Sequence, residues 1–259
     1  YNNADKKRFT IGINDDVTFT SLQITENPDT TPAGTTSCKF WGLGADGTVG
    51  ANKNSIKIIG DNTDMYAQAY FDYDSKKSGG VTMSHLRFGH TPIKSTYLIK
   101  KADFVACHNP SYIRKYNMVQ EVVDGGTFLL NCSWDMAGLE EHLPGQVKKF
   151  IADHNINFYT IDGVKLGIET GMGPTRINTI LQSAFFELTG IIPAEKANEL
   201  MKKAAQATYG RKGQDVVEKN WAAIDAGAKG FVKIEVPAHW ANCEDEGLDM
   251  GHAETGAKA

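Results

Sequence analysis

The chain has 259 residues, 41% of them hydrophobic and 22% charged, with a formal net charge of -4. That length suits one large α/β domain, or one domain with appendages. The mild acidity excludes a strong electrostatic footprint for nucleic acid, and no apolar run reaches the ~18 residues of a membrane-spanning helix.

The start, Tyr1-Asn2-Asn3-Ala4-Asp5-Lys6-Lys7-Arg8, has neither an initiator Met nor the apolar core of a secretory signal, so a processed chain or an excised piece of a longer polypeptide is expected. Phe9–Asn14, the turn Asp15-Asp16 and Val17–Leu22 predict a strand pair. Glu26–Thr36 is a polar, proline-containing linker, so residues 1–36 form a small front piece. The main domain, residues 37–242, opens with the strand Cys38–Trp41. A glycine-rich turn follows, Gly42-x-Gly44-x-x-Gly47 with Gly50, and then a helix carrying Ile56, Ile58 and Ile59. A glycine turn between a strand and a helix is the setting of a phosphate cradle: its amides approach an anion closely, and the helix end adds partial positive charge. An ordinary strand-to-helix turn reads the same way.

Tyr66–Asp72 predicts a second strand that completes a βαβ unit around that turn. Lys76 and Lys77 follow at its C-terminal end, as phosphate ligands or as a solvated turn. Val81–Phe88 and Ala102–Cys107 predict strands, Ser111–Val122 a helix, and Gly125-Gly126 a turn into the buried strand Thr127–Cys132. Leu139–His154 predicts a helix interrupted by Pro144, and Asn157–Asp162 another strand. A second glycine turn, Gly171-Met-Gly173-Pro174-Thr175-Arg176, leads into an amphipathic helix through Ile177, Ile180, Leu181, Ala184, Phe185 and Leu188, with Pro174 in its first turn. Asn178 lies one step off that stripe, near the helix start, as a ligand contact or a boundary residue. Pro193–Tyr209 and Gln214–Ala226 predict helices, with Asn220 beside the stripe of the latter. Phe231–Val236 predicts a last strand, and residues 243–259 a mobile tail. Strands alternating with helices predict a three-layer α/β/α, Rossmann-like domain on a mostly parallel sheet.

The four cysteines, Cys38, Cys107, Cys132 and Cys243, form no CxxC pair, so this chain alone is not expected to ligate zinc or a cluster. Cys107 and Cys132 lie in apolar strands and read as buried free thiols of a reducing cytoplasm. No GxSxG, HExxH or paired-carboxylate signature is present, and the seven histidines are scattered. No catalytic or metal residues are therefore assigned. A nicotinamide-binding domain calls for an acidic residue roughly 20 positions beyond the glycines. Asp72 and Asp74 stand there, but Lys76 and Lys77 beside them suit an additional phosphate, as in coenzyme A or NADP.

Three stretches carry a resemblance: Phe9–Thr18, Gly42–Gly60 and Gly79–Gly89. They closely resemble pyruvate:ferredoxin (flavodoxin) oxidoreductases, in the middle domain equivalent to the gamma subunit of split 2-oxoacid:ferredoxin oxidoreductases. The likeness runs through roughly residues 8 to 240. It implies part of an enzyme that converts pyruvate and coenzyme A to acetyl-CoA and CO2 and reduces ferredoxin or flavodoxin. It places thiamine diphosphate and [4Fe-4S] clusters on other domains or subunits, which are then this chain's partners. It assigns coenzyme A binding here to Ala45, Asp46, Gly47, Thr48, Val49, Lys77, Asn178 and Asn220. Loop amides would hold phosphate oxygens, Lys77 would neutralise charge, and the asparagines would bond amide or adenine groups. Two other readings remain: an interaction module without a ligand, and an NAD(P)-binding domain. Internally bonded loop amides would favour the former.

Overall fold

The computed structural model describes residues 8–13, 17–26, 30–44, 46–74 and 80–247. The chain divides into two compact units, residues 1–33 and 34–259. In the first, the expected strand pair is reduced, among the described residues, to one parallel bridge between Thr10 and Ser21. Thr10 N–H donates to Thr20 O at 3.1 Å and Leu22 N–H to Thr10 O at 2.9 Å. Two interruptions explain the shortfall: Gly12 and Phe19 have φ of 76° and 52°, which extended strands do not tolerate. The Asp15-Asp16 turn lies outside the described residues. Phe9, Ile11, Ile13, Val17 and Phe19 are all exposed.

The second unit is built on one seven-stranded sheet in the order β2-β3-β1-β4-β5-β6-β7. The strands are β1 (Thr36–Leu43), β2 (Tyr66–Tyr73), β3 (Val81–Gly89), β4 (Ala102–Cys107), β5 (Val122–Asn131), β6 (Asn157–Ile161) and β7 (Phe231–Lys233). β1, β4, β5 and β6 pair in parallel; β2, β3 and β7 join antiparallel. The helices are α1 (Thr48–Asn62), α2 (Met136–His142), α3 (Gly145–Asp153), α4 (Gly163–Glu169), α5 (Asn178–Thr189), α6 (Ala194–Tyr209) and α7 (Gln214–Lys229). Side chains alternate along each strand and feed two cores. Phe40, Phe104 and Leu129 meet α1, α5, α6 and α7 on one face, while Trp41, Val105 and Phe128 meet α2, α3 and Trp240 on the other. This is the expected three-layer α/β/α arrangement.

Several boundaries differ from the sequence reading, each for a local reason. β2 runs in the same direction as β1, but β3 is inserted between them, so the predicted βαβ unit is split. β3 is buried over most of its length and takes the inner place, whereas Tyr66, Tyr70 and Tyr73 of β2 are exposed at the edge. The predicted helix over 111–122 is two single 3-10 turns, Pro110–Tyr112 and Val119–Glu121. Gly125 and Gly126 lie within β5 at a register shift against β4, not in a turn before it. Pro144 divides the predicted long helix completely into α2 and α3, since a proline has no amide to donate and clashes with the preceding turn. α5 begins at Asn178, so Pro174 stands in the loop before it.

Beyond β7, which stops at Lys233, Trp240 is fully buried and its indole N–H donates to Glu140 Oε1 at 2.6 Å. Gln146 Nε2 donates to Gly247 O at 2.7 Å, so the chain as far as residue 247 is laid along α3. No helix among the described residues is long and apolar enough to cross a membrane.

Candidate ligand cleft at the glycine loop

β1 delivers the chain to the carboxyl end of the sheet at Leu43, and α1 starts five residues on, at Thr48. Gly47 caps α1 at φ 89°, the left-handed conformation that glycine adopts without penalty. A Cβ there would stand 2.5 Å from Asn178 Nδ2, so a side chain would have to displace the Asn178 amide as well as strain the backbone. Asp46 fills the loop from within. Its Oδ2 accepts from Leu43 N–H at 2.9 Å and its Oδ1 from Thr48 N–H at 2.7 Å. Gly44 N–H donates to Gly80 O at 2.8 Å. A carboxylate of the chain itself thus takes amides that the phosphate reading gave to a ligand.

Beside the loop lies a cleft of about 870 Å³ walled by α1, α5, α6 and α7. It gathers Asp46 and Gly47 from the loop, Asn178 from the start of α5 and Asn220 from the middle of α7. Asn178 Nδ2 donates to Asp46 O, and Asn220 Nδ2 donates to Val216 O at 2.8 Å. Both amide groups are oriented by these donations, because a carbonyl partner requires the NH2 end. The two Oδ1 atoms are left buried without a hydrogen-bond partner among the described residues, and Asn220 is only 2% exposed. Met201, Ala204 and Ala205 give the interior a small apolar lining, and Arg176 and Lys212 stand exposed around it.

The other expected site residues are placed differently. Thr48 is fully buried, and its hydroxyl shares a 2.8 Å hydrogen bond with His108 Nδ1 behind the loop. Val49 faces a smaller hollow of about 330 Å³, shared with Tyr73, Asp74 and Thr82. Ala45 and Lys77 lie outside the described residues; Asp74, after β2, and Gly80, before β3, border the same small hollow.

The sheet's switch point coincides with this region. The chain leaves β1 onto the α1 face and leaves β4 onto the opposite face, so their carboxyl ends diverge, the usual place for a ligand crevice. His108 follows β4 there. Burial holds its pKa down to about 4 against the opposing pull of Asp46, so it is neutral at pH 7. Burial likewise pushes the Tyr112 phenol up to about 12, helped by Tyr116, Asp46, Cys107 and Asp74. Asn131, at the end of β5, donates through Nδ2 to His108 O and accepts from Gly163 N–H, both at 2.9 Å.

Residues 37–230 match the family described as pyruvate ferredoxin/flavodoxin oxidoreductase. The chain belongs to this family. The pyruvate-flavodoxin oxidoreductase of Enterobacter agglomerans is 58% identical over 239 residues, which are 92% of this chain and 20% of that protein. The chain therefore corresponds to about a fifth of that relative. Among solved structures, a pyruvate oxidoreductase subunit of Thermotoga maritima aligns with a TM-score of 0.62 at 17% identity, over 78% of this chain and 99% of that one. The 2-oxoglutarate:ferredoxin oxidoreductase of Magnetococcus marinus, solved with 2-oxoglutarate, coenzyme A and succinyl-CoA bound, aligns with a TM-score of 0.53 at 14% identity, over 84% of this chain and 33% of that one. At those identities the two structures establish the fold that this oxidoreductase domain shares.

Arg176, Lys212 and His108 were not singled out by sequence reasoning. The signals were present: Arg176 ends the second glycine turn, and Lys212 lies in the Gly210–Gly213 break between α6 and α7. What was missing was the bundling of α5, α6 and α7 that brings both breaks to one cleft.

Proposed function

We propose that this chain is the coenzyme A-binding part of a pyruvate:ferredoxin or pyruvate:flavodoxin oxidoreductase. The observation that carries the reading is the cleft, whose lining draws Gly47, Asn178 and Asn220 from three separate elements. Ligand sites of this size combine apolar lining with a few polar groups, as Asn178, Gln182 and Thr208 beside Met201 and Ala205 do here. Coenzyme A carries matching polar groups in its pantetheine amides and its adenine. The cleft's volume falls within the range of about 300–1,000 Å³ usual for small-molecule sites. The coenzyme A bound in the Magnetococcus structure, whose fold this chain shares, is in keeping with this reading.

Thiamine diphosphate and iron–sulfur clusters would belong to the rest of such an enzyme. Cys38, Cys107 and Cys132 are buried and Cys243 is half-buried, and no group of three or more His, Cys, Asp or Glu is placed to hold a metal among the described residues. In the whole enzyme this chain would present coenzyme A to acetyl groups produced elsewhere, in the cytoplasm, with ferredoxin or flavodoxin taking the electrons.

One observation favours a second reading, an interaction module. Asp46 bonds the loop amides internally, as a turn with no phosphate partner would. The dinucleotide reading has less support: β3 separates β2 from β1, so Asp72 and Asp74 do not end the strand next to the glycine loop. Calorimetric titration of the chain with coenzyme A and with NADPH separates the three. Saturable binding of coenzyme A is expected, weakened by Asn220→Leu in a variant that keeps its melting temperature. NADPH binding alone would favour the dinucleotide domain, and no binding of either ligand the interaction module.

A further inference from the structure

We propose that one half-face of the sheet, over β2, β3 and the end of β1, docks against another domain of the same oxidoreductase, one that presents an apolar patch with an acidic rim. The inference rests on the reading of this chain as part of a larger oxidoreductase and not on its coenzyme A site.

The three layers are unequal. On one face, Phe40, Leu86 and Ala69 of β1, β3 and β2 pack into the core that includes α1. On the other, α2 and α3 connect β5 to β6 and pack near the strands they join. Across β2 and β3 that second face carries the β3–β4 connection, residues 90–101, which contains no helix. The connection is pinned to one end of the strands. Gln68 Nε2 donates to Ser95 O at 2.7 Å, Arg87 Nη2 to Tyr97 O at 2.8 Å, and Ile99 N–H to His85 Nδ1 at 3.2 Å. Beyond these contacts the face is open. Tyr66 and Tyr70 are 50% and 56% exposed, and Leu43, Val81 and Met83 are only half-buried. Tyr70 leans on His85 at 6.4 Å between ring centres, which fixes the face it belongs to. Tyr97, stacked on Arg87, and Leu98 border the patch and are also exposed. Contiguous apolar surface of this kind marks an interaction site, and tyrosine is among the residues enriched at interfaces.

The strand edge points the same way. β2 is the outermost strand, eight residues long, with one charge, Asp72, no proline and no break in its register against β3. Edges that stay in water are blunted by lysine, proline or a bulge, and β2 has none of these.

Two observations choose the occupant. The chain spans 20% of the Enterobacter relative, so four-fifths of that protein lies outside it, and in Thermotoga the same fold makes up 99% of a separate subunit. A fold found both inside a longer chain and as a subunit needs a surface that serves either arrangement. The rim supplies the sign. Residues 90–101 hold exposed Lys94, Lys100 and Lys101 and no carboxylate, and neither these lysines nor the buried Arg87 form an ion pair with a described residue. A second copy would bring another basic rim to the same place, whereas an acidic rim is complementary.

The test footprints the chain alone and the complete oxidoreductase that contains it with hydroxyl radicals, read by mass spectrometry. Tyr70 and Met83 should be modified at least about fivefold more slowly in the complete enzyme, as residues at the core of an interface are, and Tyr73, exposed on the opposite face of β2, within about twofold of its rate in the chain alone. Tyr70→Arg should leave the melting temperature of the chain unchanged and, in the complete enzyme, return Met83 to the rate seen in the chain alone. Equal rates for Tyr70 in the two samples overturn the docking face and leave the coenzyme A titration untouched. Equal protection of Tyr70 and Tyr73 overturns it too, since the edge and not this face would be covered, as does a Tyr70→Arg enzyme in which Met83 stays protected. The chain alone should sediment as a monomer. A dimer that Tyr70→Arg dissociates overturns the choice of occupant in favour of a second copy.

Discussion

At the scale of single residues, Gly47 carries two constraints at once. Its φ of 89° disfavours any side chain, and the space a Cβ would need is held by Asn178. Gly47→Ala is expected to cost about 2 kcal/mol or more, the sum of left-handed strain and a displaced neighbour, read as a lowered urea midpoint at unchanged slope. Since Asn178 would be pushed from Asp46, the same variant should bind coenzyme A more weakly. This position was legible in the sequence because glycine spacing reports backbone conformation directly. Asp46 was legible only as a member of the loop. That its carboxylate turns inward onto Leu43 and Thr48 depends on side-chain geometry that no spacing encodes. Asn220 illustrates the opposite case. Its place beside an apolar stripe marked it as ambiguous, and only the packing of α5, α6 and α7 decides that it faces a cleft.

At the scale of elements, strongly periodic segments were readable and sheet order was not. The stripe through Ile180, Leu181, Ala184 and Phe185 predicted α5 and its buried face correctly, because a 3.6-residue repeat has one physical explanation. The order of β1, β3 and β2 is set by which strands bury both faces, a competition among distant segments. α5 and α7 meet through Gly227, where a Cβ would collide with the backbone of Ile180. That contact lets the two helices approach closely enough to wall the cleft. Gly227→Ala is expected to force them apart at a cost of about 2 kcal/mol or more, with a matching fall in thermal midpoint by circular dichroism. Gly190→Ala, in open space at the end of α5, is the control for backbone strain without collision.

At the scale of the whole molecule, two buried histidines tie folding to pH. Burial holds His108 at about 4, and burial with the nearby charges of Lys39 and Arg87 does the same for His85. Both values lie below the unfolded value of 6.5, so the unfolded chain takes up protons that the folded chain refuses. Their contribution is complete above pH 6.5 and declines as pH falls toward 4, each by about 1.4 kcal/mol per pH unit at most. Glu121, raised by burial against the pull of Lys39, titrates with the opposite sign and is common to every variant compared. The urea midpoint of His108→Gln should therefore fall less steeply between pH 6.5 and 5 than that of wild type, and equal slopes would show that His108 is not the group responsible. The neutral His108 also belongs to a closed circuit. Thr48 joins it to the glycine loop, Asn131 joins its carbonyl to Gly163, and from there the chain leads through α4 to Asn178, which returns to Asp46. A circuit of this kind has no free end from which to fray. The amides of Thr48 and Gly163 are therefore expected to open to solvent together, and matching hydrogen-exchange rates at the two would show it.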